Sequence, residues 1–149
     1  MSAPQFTITA LGVLPHSGLE LTFADGVTLA VDLRPIIRKH RTLARLKDAG
    51  VFAQARIGEW GGSVVWAQDD DLELAADNLR ARAIEQAGGY SHETILNWMA
   101  RNRLTLDTAA QELGLSRRML AYYRSGEKPV PLTVGLACLG WEEKYALAA

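Results

Sequence analysis

Two hydrophobic periods divide the chain. Through the first half, apolar side chains recur at alternate positions: Phe6, Ile8 and Ala10, then Leu19, Leu21 and Phe23, then Val27, Leu29, Val31 and Leu33. Period-two alternation puts the apolar residues on one face of a strand, so three strands are expected here. Ala24-Asp25-Gly26 separates the last two runs, and Asp-Gly suits the positive φ angles of a tight two-residue hairpin turn. Pro35-Ile36-Ile37 predicts a break and a short helix. Thr42 can cap a further turn over 43–47, which Gly50 stops. Residues 53–60 and 63–67 read as a second hairpin around Gly61-Gly62. The expectation for residues 1–76 is an α+β domain, with one small antiparallel sheet of four or five strands and a short helix on one face.

Asp69-Asp70-Asp71 marks the far edge of that domain. Leu72 to Ala87 has no β-branched residue before Ile84 and stops at Gly88-Gly89, which predicts a helix. Its part over 77–89 is expected to connect two domains. From Ser91 onward the spacing is helical, in short pieces, so 90–149 is expected to be an all-α domain.

The segment Leu104–Pro131 reads LTLDTAAQELGLSRRMLAYYRSGEKPVP. Thr105 can cap a helix whose apolar positions are Leu106, Ala109, Ala110 and Leu113. Gly114 permits a left-handed turn, Leu115 is an apolar plug, and Ser116 caps the next helix. In that helix Leu120 and Tyr123, three apart, claim the core side, leaving Arg117, Arg118, Ala121 and Tyr122 outward. Gly126 ends it, and Pro131 opens a last helix whose Leu132, Leu136 and Leu139 are expected to pack beneath the pair. A helix projected into the major groove keeps its first turn polar, because those residues reach bases and phosphates. Arginine contacts guanine bidentately or grips phosphate, and the helix N-terminus favours an anion. The residues expected on DNA are Thr105, Ser116, Arg117, Arg118, Ala121, Tyr122 and Lys128, and the partner is double-stranded DNA.

With Ala109-Ala110, Leu113-Gly114-Leu115-Ser116 and the exit Gly126–Pro131, this half resembles the phage-repressor (Cro, or XRE-like) helix-turn-helix family, from near Tyr90 onward. The resemblance implies a lambda-repressor-like all-α fold and a dimer on paired half-sites. One position departs from the family: the Gln that many members carry at the start of the first helix is Leu106 here. The first half has its own resemblance. A strand, Asp-Gly, a strand with Val31-Asp32-Leu33, a helix, Phe52, then Gly61-Gly62-Ser63-Val64-Val65-Trp66 and an Asp-rich end are similar, in that order, to a bacterial domain of unknown function numbered 2442. That likeness implies a fold and carries no site.

Composition adds little until it is divided. The hydrophobic share is 48% and the charged share 22%, which is ordinary globular material. Net charge is −1, but residues 1–77 hold 7 Lys+Arg against 10 Asp+Glu (−3) and residues 78–149 hold 9 against 7 (+2). For DNA binding, what matters is whether positive charge gathers on one face. Arg38-Lys39-His40-Arg41 is the densest basic run, read first as a solvated loop and second as an extension of a DNA footprint. The single cysteine, Cys138, rules out an internal disulfide and reads as a core residue.

The Asp triplet lacks calcium-loop spacing, and His16, His40 and His92 share no ligand spacing and read as surface residues. Trp60 and Trp66 read as packed residues, with an exposed patch as the alternative. There is no Gly-x-Ser-x-Gly elbow and no glycine-rich phosphate loop, so neither catalysis, cofactor nor metal is expected. No signal peptide or apolar span is visible, which points to a soluble cytoplasmic protein without a membrane partner.

Together these features predict a sequence-specific DNA-binding regulator of transcription. Its N-terminal domain would dimerise or sense, and the dimer would form through the N-terminal sheet or the tail Trp141–Leu147. The alternative is a protein-interaction module, such as an antitoxin-like partner that uses DNA only for autoregulation.

Overall fold

A computed structural model describes residues 3–66 and 72–146, with side chains to 145. It divides into two compact units, Met1–Gln86 and Ala87–Ala149.

The first unit holds two antiparallel three-stranded sheets where one was expected. Strands β1 (Ile8–Leu14), β2 (Gly18–Phe23) and β3 (Thr28–Asp32) form a meander. Alternation sends Leu19, Leu21, Phe23 and Val31 into the core and leaves Glu20 outside. Across the pair β2–β3, Leu19 faces Val31 and Leu21 faces Leu29. The hairpin turn is one residue longer than expected. Phe23 donates to the Val27 carbonyl at 2.9 Å and Gly26 donates to the Phe23 carbonyl at 2.9 Å. Ala24, Asp25 and Gly26 thus form a three-residue loop, and Gly26 takes the left-handed position at φ 90°.

The second sheet is built from β4 (Ala55–Ile57), β5 (Ser63–Trp66) and β6 (Glu73–Ala75). A 3-10 turn at Glu59–Gly61 interrupts the expected hairpin. β6 lies in the stretch read as helical, because Trp66 N–H donates to the Leu72 carbonyl at 3.0 Å and the strand completes the sheet before the helix starts. Asp69-Asp70-Asp71 falls outside the described residues.

Three helices close this unit: α1 (Arg34–Lys39), α2 (Ala49–Phe52) and α3 (Ala76–Gln86). Asp48 caps α2 by accepting from Gly50 and Val51 N–H at 2.8 and 3.1 Å. Trp66, fully buried, donates its indole N–H to the Phe52 carbonyl at 3.0 Å. α3 covers the stretch read as a connector, yet Leu79 and Ala83 sit in the first unit's core. Arg80 grips Asp25 with two hydrogen bonds, 2.8 and 3.1 Å, and lies 4.9 Å over the Phe23 ring. At the C-terminal end Gln86 both donates to the Asp32 carbonyl and accepts from its N–H, each at 2.8 Å. The helix is thereby fastened to the meander at its middle and at its C-terminal end.

The second unit is helical: α4 (His92–Arg101), α5 (Leu106–Leu113), α6 (Arg117–Ser125) and α7 (Leu132–Ala146). An isolated bridge, Tyr90 to Val130, is its only β pairing among the described residues. Its core gathers Ile95, Trp98, Met99, Ala109, Ala110, Leu120, Val134 and Cys138. Two expectations are corrected here. α7 is apolar on two faces; Val134 and Cys138 turn inward, and Leu132, Leu136 and Leu139 are 63%, 50% and 51% exposed. His92, read as a surface residue, is buried in the first turn of α4 behind the cap Ser91. No described helix is long and apolar enough to cross a membrane.

Candidate nucleic-acid interface

α5 and α6 are joined by a three-residue turn whose every backbone feature follows from its sequence. Thr105 and Thr108 cap α5 reciprocally: the Thr105 hydroxyl accepts from Thr108 N–H at 3.1 Å, and the Thr108 hydroxyl accepts from Thr105 N–H at 2.9 Å. Gly114 ends α5 at φ 71°, ψ 29°, a left-handed conformation that glycine adopts without a Cβ penalty. Leu115 N–H then reaches the Ala110 carbonyl at 2.9 Å and Gly114 N–H the Gln111 carbonyl at 3.3 Å, closing the helix end as a Schellman motif. Ser116 caps α6 by accepting from Met119 N–H at 3.1 Å. Ala109 and Ala110, both buried, let the helices approach, and Leu120 is wholly enclosed between them.

With Leu120 pointing inward, Arg117 and Arg118 stand exposed in the first turn of α6. Arg118 donates from Nε to the Tyr122 hydroxyl at 2.8 Å, and its guanidinium carbon lies 5.5 Å from that ring's centre. Lys128 sits 4.8 Å over the same ring. The backbone N–H of Lys128 is itself held by the Tyr122 carbonyl at 3.2 Å, which fixes the exit loop beside the helix. Arg118, Tyr122 and Lys128 therefore form one cationic platform, with two charges braced on a half-buried aromatic ring.

The other expected residues are placed differently. Thr105 and Ser116 are exposed caps whose hydroxyls are occupied by backbone N–H groups, and Ala121 is half-buried. Arg117 pairs through Nε with Asp107 of α5 at 2.9 Å, the two side chains being 67% and 75% exposed. Sequence reading missed Asp107. Ten positions separate it from Arg117, so only the crossing of the two helices brings them together. So open an ion pair contributes little to stability, but it sets a carboxylate beside the arginine.

The pKa shifts of this unit lie away from that face. The Arg101 guanidinium hydrogen-bonds Glu142 and holds its carboxyl below the usual range, with a shortest contact of 2.6 Å. Burial pushes the Cys138 thiol up to about 11.

Residues 8–85, just over half of the chain, match the model of a protein family of unknown function, DUF2442. The chain belongs to this family. The match begins with the first residue of β1 and ends one residue before the last of α3, so α3 lies within the family domain. The helical unit lies outside the matched stretch. Among solved structures, the chain is similar to a crystal structure described as that of a putative DNA binding protein from Nitrosomonas europaea. The two are 45% identical and superpose with a TM-score of 0.84, covering 95% of this chain and 90% of that one. No curated protein matches the chain.

Proposed function

We propose that the helical unit is a DNA-reading helix-turn-helix of the phage-repressor kind and that the chain regulates transcription. The observation that carries this reading is the outward face of α6. A serine-capped helix start bears two exposed arginines, and Arg118 is braced with Lys128 on the Tyr122 ring. Arg117 and Arg118 sit where a groove-bound helix meets base edges and phosphates, and Lys128 reaches backbone from the exit loop. Thr105, Ser116, Ala121 and Tyr122 complete the surface that faces the duplex. The relative from Nitrosomonas europaea, described as a putative DNA binding protein, supports the same reading.

The active form is a dimer. A lone module of this size contacts few base pairs, and repressor-type readers gain affinity by binding two half-sites. Leu132, Leu136 and Leu139, spaced four and three apart on the outer face of α7, have the pattern of a helix-pairing seam. A second copy would cover them isologously.

Selection of bound sequences from random duplex DNA, followed by salt titration of the winner, tests the reading. The double variant Arg117→Ala/Arg118→Ala should unfold at the parent temperature, since exposed arginines contribute little to folding. It should lose most of its binding to the selected duplex. If Arg118 reads a base, its single change to Ala costs about 1–3 kcal/mol and relaxes one position. A folded double variant that binds as well as the parent overturns the assignment and leaves the protein-interaction module, which the open leucine face of α7 would serve.

A further inference from the structure

The first unit has a charge distribution that its fold does not require. Of the nine Lys and Arg in residues 1–86, six lie in the fourteen residues 34–47: Arg34, Arg38, Lys39, Arg41, Arg45 and Lys47. That stretch contains no carboxylate, whereas the other 72 residues hold eleven carboxylates against Arg56, Arg80 and Arg82. A unit whose net charge is only −2 is therefore a +6 segment set against −8.

The fold turns this segment into a surface. α1 and the 3-10 helix Arg41–Lys47 meet at His40, whose extended backbone (φ −117°, ψ 121°) makes the corner. Ile36, Ile37, Leu43 and Leu46 all enter the core, so the apolar positions are spent inward. All six cations are exposed. The Arg34 guanidinium is held by the Asp32 carboxylate through three hydrogen bonds, the shortest 2.9 Å. Among the described residues, Lys39, Arg41 and Lys47 have neither a hydrogen bond nor an ion pair through their side chains. Helix dipoles account for some of this placement, because Arg38, Lys39, Arg45 and Lys47 fall in last turns. They do not account for Arg41, nor for the exclusion of every carboxylate from two elements this short.

We infer that residues 38–47 form a phosphate-contacting strip, and that its partner is the backbone of the same duplex the helical unit reads. Several cations without carboxylates between them suit a partner of closely repeated negative charge, and duplex DNA presents one about every 1.7 Å of its axis. The acidic remainder of the unit repels a polyanion, so it approaches from this side. Only five residues, 87–91, separate α3 from α4. That short tether makes the second contact intramolecular once the first is made, which raises its effective concentration. The strip adds affinity and no sequence preference, since phosphate contacts position and base contacts specify. The partner's identity rests on the proposed function; the strip's affinity for phosphate does not.

The test uses the full chain with Arg38→Gln, Lys39→Gln and Arg41→Gln combined, all three exposed and none in an ion pair among the described residues. Binding is measured on the selected duplex and on a random-sequence duplex across a salt series, beside thermal unfolding. At 0.15 M salt the triple variant should bind both duplexes at least about ten-fold more weakly, and its log–log salt slope should fall by about two to three. The ratio of selected to random affinity should hold. The charge-keeping variant Arg38→Lys/Arg41→Lys should behave as the parent, which separates charge from any local damage. Unchanged affinity and slope overturn the inference. So does a loss confined to the selected duplex, which would mean base reading. So does a loss of binding to phosphatidylserine vesicles with duplex binding intact, which would make the partner a membrane. Failure of the helical reading looks different: Arg117→Ala/Arg118→Ala then binds the selected duplex like the parent, while the triple variant still weakens binding to random duplex.

Discussion

Single side chains set the sign of what the proposed interface can do, and the Asp107 carboxylate opposes it. That group occupies Arg117 and repels approaching phosphate. Asp107→Asn should tighten binding on every duplex by about two- to five-fold and steepen the salt slope by about one, as Arg117 becomes free for phosphate. Equal affinity and slope in parent and variant would mean that Arg117 meets no DNA. Glycines offer a second prediction, because their local surroundings differ. Gly61 has φ 72°, and a Cβ there would stand 2.6 Å from the Ile8 carbonyl oxygen and 2.9 Å from a Thr7 methyl. Gly26 has φ 90° but open space around it. Gly61→Ala should therefore destabilise the first unit by at least ~2 kcal/mol, from strain and overlap together, and Gly26→Ala by about 1 kcal/mol, from strain alone. Chemical denaturation checks the ranking. Gly26 was legible because Asp-Gly is a turn signal, whereas the crowding at Gly61 comes from β1, some fifty positions earlier in the chain. Trp60 was misread for a related reason. Alternation assigned it to a strand, but the 3-10 turn puts it at φ 59° and leaves it 81% exposed.

At the scale of elements, the sequence was readable wherever one face alone was apolar. β2 and β3 alternate cleanly, and their burial follows. α5 and α6 carried caps, a left-handed glycine and one enclosed leucine, each with its own local signal. β6 was not readable, because Glu73–Ala75 is made of good helix formers and becomes a strand only by pairing with β5. α7 was ambiguous for the opposite reason. Leu132, Leu136 and Leu139 repeat at helical spacing, but so do Val134, Cys138 and Trp141 on the other side. Packing decided between them: a Cβ at Gly135, beside the inward face, would run into the Tyr90 ring, so that face lies close against the body of the unit. The outward leucines then become the natural seam for a second copy. Leu136→Glu should abolish the dimer in sedimentation at micromolar concentration while shifting monomer stability by no more than about 0.5 kcal/mol, because the side chain is half exposed. A parent that sediments as a monomer both free and on DNA removes the seam from the account.

The whole molecule combines two cores of different kinds, and Cys138 gives the helical one a readout of its own. It is the chain's only cysteine and is 1% exposed within the helical core. Burial raises its thiol to about 11 from an ordinary 9.0, so at pH 8 the folded unit holds almost no thiolate. The sign of the linkage follows. Because the folded form keeps its proton more tightly, the thiol's contribution to stability is complete below about pH 9 and is lost as pH rises through about 11. Only the thiolate attacks an alkylating reagent, so labelling at pH 8 reports opening of the helical unit. The first unit contains no thiol and is silent. Its core joins both sheets to α1 and α3, with Arg80 on Asp25 and Gln86 on Asp32 fastening α3. If each core is a cooperative unit of its own, a lesion in one should not open the other. Gly61→Ala supplies that lesion. Amide exchange should quicken across β2 and β5 in this variant, while the rate of Cys138 labelling stays at the parent value. Labelling that accelerates by the same factor as exchange would mean that the two units unfold as one, and that a ligand held by the family domain would be felt directly in the stability of the helices.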